Sequence, residues 1–145
     1  MQNDLIRRDG VPLPLRRLMA QPFLETTARL ALASPFFISG IIKLMDFSEA
    51  SAEVSGLGLQ PAAAVAAAVI LVQLGGSALF MTRRFCWLGA GMLAVFTAYA
   101  TLLAHPFWQF QGPERGHQTA TFFEHVAIIG GFAAAAILAH QDHRT

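Results

Sequence analysis

Charge is what this sequence has least of. Only 13% of its 145 residues are Asp, Glu, Lys or Arg, about half the share found in ordinary soluble domains. Ten basic residues stand against nine acidic ones, for a net charge of +1, and no polybasic or aromatic-interleaved stretch occurs, which sets nucleic-acid binding aside. Cysteine is almost absent. Cys86 stands alone, so an internal disulfide and any multi-cysteine metal or redox motif are excluded, and the residue reads as a small buried hydrophobe. A nucleotide-binding glycine loop is also missing. The first 26 residues contain no apolar signal-peptide core and no small-residue cleavage pattern follows, so this segment is expected to be retained.

What the chain does have is apolar length. Hydrophobic residues make up 54% of it, and the mean hydropathy is +0.49. Four stretches, residues 27–47, 61–82, 85–105 and 119–139, each approach the ~20 residues that a helix needs to cross a ~30 Å hydrocarbon core. The fold class that follows is all-α: a transmembrane four-helix bundle filling residues 27–140, with an interfacial segment 1–26 before it and a short tail 141–145 after it. A soluble bundle would carry polar stripes at helical spacing, and "AAAVAAAVILVQLGGSALFM" (62–81) offers only Gln73 and Ser77.

Arg7, Arg8, Arg16 and Arg17 precede the first span, and Arg83 and Arg84 fill the short turn after the second. By the positive-inside bias both termini and that turn are cytoplasmic, and the connections 48–60 and 106–118 are outward loops. Leu5, Ile6, Leu13, Leu15, Leu18, Met19 and Phe23, mixed with these arginines, suit a segment lying at the inner interface. Gly75, Gly76, Gly89, Gly91, Gly130 and Gly131 allow spans to approach closely. Pro35 removes a ladder hydrogen bond inside the first span, and Ser34 or Ser39 can satisfy the freed carbonyl.

Against this apolar background Lys43 stands out, about three residues or roughly 5 Å of helix rise inside the outer end of the first span. His105, Glu124 and His125 are expected at the same level. A charge facing lipid is costly, so Lys43 and Glu124 are expected to pair or share a water-linked network, with Asp46 as the more solvated competitor. Lys43, His105, Glu124 and His125 are the candidate catalytic residues. His117 completes an inventory that suits zinc, copper or iron, but no spacing places two ligands on one helical face, and no metal ligand is assigned. Histidines at helix boundaries also serve as hydrogen-bonding residues, proton carriers or quinone contacts.

"HPFW" (105–108) combines a helix stop at Pro106 with Phe107 and Trp108, and Phe110 follows. These aromatics read as an interfacial belt, or as walls of a slot for a flat apolar headgroup such as a quinone. Gln73, in the middle of the second span, either adds an amide to that pocket or bonds a neighbouring helix. Arg29 reads as an anchor at the inner interface. His140 and His143 read as solvated.

The ordered set "RLALASPFFISGIIKLMDF" (29–47), "GLGLQP" (56–61), "QLGG" (73–76), "HPFW" (105–108) and "FFEHVAIIGG" (122–131) resembles the DoxX-like family of small four-helix membrane proteins. The resemblance covers about residues 27–139. Arg29, Gly40, Lys43, Phe47, the paired glycines, His105 and Trp108 fall where that family's pattern places them. Gln73 stands where the family commonly has glutamate, and Glu124–His125 replace a frequent Lys-Asn pair. The resemblance implies a redox-associated subunit in the bacterial inner membrane, since members have been linked to quinone-coupled sulfur oxidation, to oxidoreductase complexes and to resistance to oxidative stress. The expected ligand is a quinone or another small redox-active molecule, held in an outer-leaflet polar pocket by the four candidate residues with Gln73, Phe107 and Trp108, with a quinone as the expected cofactor. The expected partners are lipid, a membrane or periplasmic oxidoreductase and further copies of the chain. A non-catalytic scaffold is the alternative.

Overall fold

The structure, a computed structural model, describes residues 10–142, and the side chains of residues 10–140. Leu5, Ile6, Arg7, Arg8, His143 and Arg144 lie outside the described residues. Every described element is helical: α1 (Leu13–Met19), α2 (Pro22–Met45), α3 (Phe47–Gly56), α4 (Ala62–Met81), α5 (Cys86–Ala104), a 3-10 turn (Phe107–Gln109) and α6 (Gly112–Asp142). The four long helices α2, α4, α5 and α6 are apolar and long enough to span a membrane. Leu24, near the start of α2, and Leu138, near the end of α6, line one cavity, so these two chain ends share one end of the bundle. Lys43 and Leu103 line a recess at the other end.

Two expected loops are helical. Residues 48–60 contain α3, which starts because Asp46 leaves the helical region (φ −123°, ψ 75°) and its Oδ1 accepts the Glu49 N–H at 3.0 Å. An Asp three residues before a Glu is a helix-start pattern. The helix stops in a Schellman turn: the Leu59 N–H bonds the Val54 carbonyl, the Gly58 N–H bonds that of Ser55, and Gly58 takes the left-handed φ of +76° that glycine adopts without steric cost. Leu59 then packs back on Ala50, Val54 and Ala66. Asp46→Ala should therefore cost about 1 kcal/mol, read as faster amide exchange in α3 with α4 and α5 unchanged. In the second expected loop, 106–118, residues 112–118 belong to α6, whose first turn contains Pro113 with its helix-compatible φ and Glu114.

Pro35 is accommodated as its chemistry demands. The Ala31 carbonyl, four residues back and deprived of its N–H donor, accepts from Ser34 Oγ at 2.9 Å. At the centre, Phe36 meets Phe96 and Phe132 at ring separations of 6.3 and 5.4 Å, and Phe80 meets Phe132 at 5.1 Å. Cys86, Leu93, Phe80 and Phe132 are fully buried. Of the paired glycines, Gly76, Gly89 and Gly131 face a neighbouring helix, whereas Gly75, Gly91 and Gly130 border open space. Arg29 is packed inside the protein: it is buried, bonded to Glu25 at 2.6 Å, and borders a cavity of about 510 Å³.

Candidate functional site

The C-terminal turns of α5 carry the chemistry on two faces. Thr97, Thr101 and His105, spaced four residues apart, make one line along the helix, and Thr101 and His105 bond His125 and Gln118 of α6. Phe96, Tyr99, Ala100, Leu103 and Ala104 line a recess on another side. The residues expected to form one pocket are thereby divided.

Lys43 belongs to the recess. Its Nζ pairs with Glu53 Oε2 of α3, not with Glu124 and not with Asp46, whose carboxylate caps α3. The expected Lys43–Glu124 pair is thus replaced. Glu124 is exposed on α6, while Lys43 looks into a space of about 240 Å³ bounded by α2, α3, α4 and α5. Its walls are apolar, with Ala50 and Val54 from α3, Leu57 just after it, and Val65, Ala66 and Val69 from α4. The Lys43 side chain is 19% exposed and that of Glu53 57%, so the carboxylate reaches solvent while the amine stays at the mouth of the recess.

His105 and His125 do come together. Their rings meet edge to face with centres 5.2 Å apart. His105 Nδ1 lies 2.8 Å from Gln118 Oε1, and Gln118 Nε2 donates to Glu114 Oε1 at 2.8 Å. His125 Nδ1 lies 2.8 Å from Thr101 Oγ1. Gln118, Glu114 and Thr101 were not singled out from the sequence, although the Thr97, Thr101, His105 spacing marks a polar line. His117 does not join the pair, and no group of three or more His, Cys, Asp or Glu able to hold a metal exists among the described residues.

Phe107 and Trp108 pack with Phe122 and Phe123 of α6, with ring separations of 5.2 to 6.4 Å. Gln73 stands apart from both features. It is buried, and its Nε2 donates to Ser39 Oγ of α2 at 3.2 Å, which makes it a link between helices. Among the described residues, Gln73 Oε1 and Ser77 Oγ, one turn further along, have no hydrogen-bond partner.

Four apolar spans that make up most of a short chain define a small multi-pass membrane protein. The DoxX family profile matches residues 24–106, more than half of the chain, and the chain belongs to that family. It is similar to the inner membrane protein YphA of Escherichia coli (strain K12), at 29% identity over 119 residues, covering 81% of this chain and 84% of the relative. No solved structure is a significant match. The spans and this relative place the chain as a multi-pass inner membrane protein.

Proposed function

We propose that the chain binds the oxidised ring of a quinone in the recess beneath α3 and acts as the membrane subunit of a redox complex, beside an oxidoreductase that exchanges the electrons. One observation carries this reading: an apolar recess of about 240 Å³ with an amine at its mouth. A quinone is a flat apolar ring with carbonyl acceptors, and an ammonium has three N–H donors, of which Glu53 takes one. Lys43 is left with donors for a carbonyl oxygen. With the orientation read from the arginines, the recess lies in the outer leaflet. A chain with one cysteine has little of its own to carry electrons, hence the partner.

The rival reading is a non-catalytic scaffold, favoured by the Lys43–Glu53 pair itself, which ties α3 to α2. Equilibrium dialysis of a tail-less 1,4-benzoquinone against the purified protein in nanodiscs separates the two. Saturable uptake of one molecule per chain, weakened in Lys43→Met, is expected. Unsaturable partitioning, identical in both proteins and in empty nanodiscs, would leave the scaffold as the better account.

A further inference from the structure

The paired imidazoles lie on the other face of α5, and hydrogen-bond accounting fixes where each carries its proton. A carboxylate only accepts. Glu114 Oε1 therefore takes a hydrogen from the Gln118 amide nitrogen at 2.8 Å, which turns Gln118 Oε1, again purely an acceptor, toward His105 Nδ1 at 2.8 Å. The hydrogen in that bond must come from the ring. For His125 the partner is Thr101, whose single hydroxyl hydrogen goes to the Thr97 carbonyl at 2.6 Å. The 2.8 Å contact between Thr101 Oγ1 and His125 Nδ1 then also takes its hydrogen from the ring. In its neutral form each imidazole is therefore the Nδ1–H tautomer, and its Nε2 presents a bare lone pair. Neither Nε2 has a hydrogen-bond partner among the described residues, and neither is among the sealed, unpartnered atoms.

We infer that the His105–His125 pair is an acceptor site for a dihydroxyaromatic ligand, which makes it a second site whose hydrogen-bond polarity is opposite to that of the Lys43 recess. Two acceptors call for a ligand that arrives with hydrogens to give. A metal ion also seeks lone pairs, but two nitrogens without a third protein ligand leave it half solvated, and no third ligand joins them among the described residues. Phe107, two residues beyond His105, stacks edgewise at 5.2 Å on Phe122, three residues before His125 in α6, so an aromatic cluster shares the chain segments that carry the pair, which suits a flat ring carrying the hydroxyls. A quinone carbonyl, itself only an acceptor, finds nothing to bond here. The ligand's identity as a reduced quinone rests on the proposed function; the polarity of the site does not.

The test is nitrogen-15 NMR of histidine-labelled protein in nanodiscs near neutral pH, free and then with a tail-less 1,4-hydroquinone or the matching benzoquinone, without oxygen. In the free protein, two imidazoles should show a protonated Nδ1 and a pyridine-like Nε2, signals assigned by their loss in His105→Ala and His125→Ala. Hydroquinone should move these two Nε2 signals and benzoquinone should not. Gln118 is a positioning residue: Gln118→Leu should return His105 to the Nε2–H form and weaken hydroquinone about tenfold, whereas Gln118→Glu, which keeps an acceptor, should retain the tautomer. Protonated Nε2 in the free protein, equal response to both ligands, or response to neither overturns the inference. Hydroquinone shifts that persist in Lys43→Met, alongside failed quinone uptake, would sink the recess reading alone.

Discussion

Gly89→Val is expected to abolish the folded bundle, while Gly91→Val leaves it intact. A Cβ added at Gly89 would lie 2.6 Å from the Gly76 carbonyl oxygen and 2.7 Å from Phe80 Cα, with the Phe80 nitrogen also in its way. All of these are backbone atoms of α4, so no side chain can rotate to make room; α4 and α5 must separate. Separation would open the packing around Phe80 and Leu93, both fully buried. Overpacking typically costs about 1–3 kcal/mol and occasionally more; a branched side chain against an unyielding backbone belongs at the upper end or beyond, against a total stability of about 5–15 kcal/mol. Gly91 has nothing within 4 Å of an added Cβ. Size-exclusion chromatography and thermal unfolding in mild detergent check the contrast: aggregation or a large fall in melting temperature for Gly89→Val, and little change for Gly91→Val.

Lys43→Met should weaken quinone binding by about ten- to a hundredfold, with little change in folding. Losing a charged donor to a buried acceptor is worth about 1.5–3 kcal/mol, and 1.4 kcal/mol is about a factor of ten in affinity. The pair with Glu53 contributes far less to stability, because the Glu53 side chain is more than half exposed; about 1 kcal/mol or less is expected. Methionine also restores apolar contact with the recess walls. Lys43→Arg keeps donors and should retain most of the binding, and Glu53→Gln, which releases the amine, should bind at least as well as the unaltered chain. If Lys43→Met lost stability and Lys43→Arg lost binding, the lysine would be a structural tie.

The four spans were legible because apolar length is a one-dimensional property: 61–82 and 85–105 fall within a residue or so of α4 and α5 at each end. Helix α3 was hidden by its polar composition, "FSEASAEVSG", which in an outward connection reads as loop. Its start signal, Asp46 with Glu49, and its stop at Gly58 were both present. Depth along a span, read from residue count, correctly brought His105 and His125 to one level. Depth says nothing of rotation about the helix axis or of which helices are neighbours, and this is why Lys43 was matched to Glu124. The true partner, Glu53, lies ten residues from Lys43, and only the existence of α3 brings it back. The proton positions on His105 and His125 depend on Gln118, Glu114 and Thr101, whose roles exist only once α5 and α6 are packed.

The most direct test of the recess is photolabelling with a tail-less azidoquinone in nanodiscs, followed by peptide mapping. Label concentrated on the recess walls, at Val54, Val69 or Phe96, displaced by excess benzoquinone and lost in Lys43→Met, is the result expected. Label spread over lipid-facing positions such as Ile38, Leu71 and Ile137, and indifferent to competitor and to Lys43, would contradict the account.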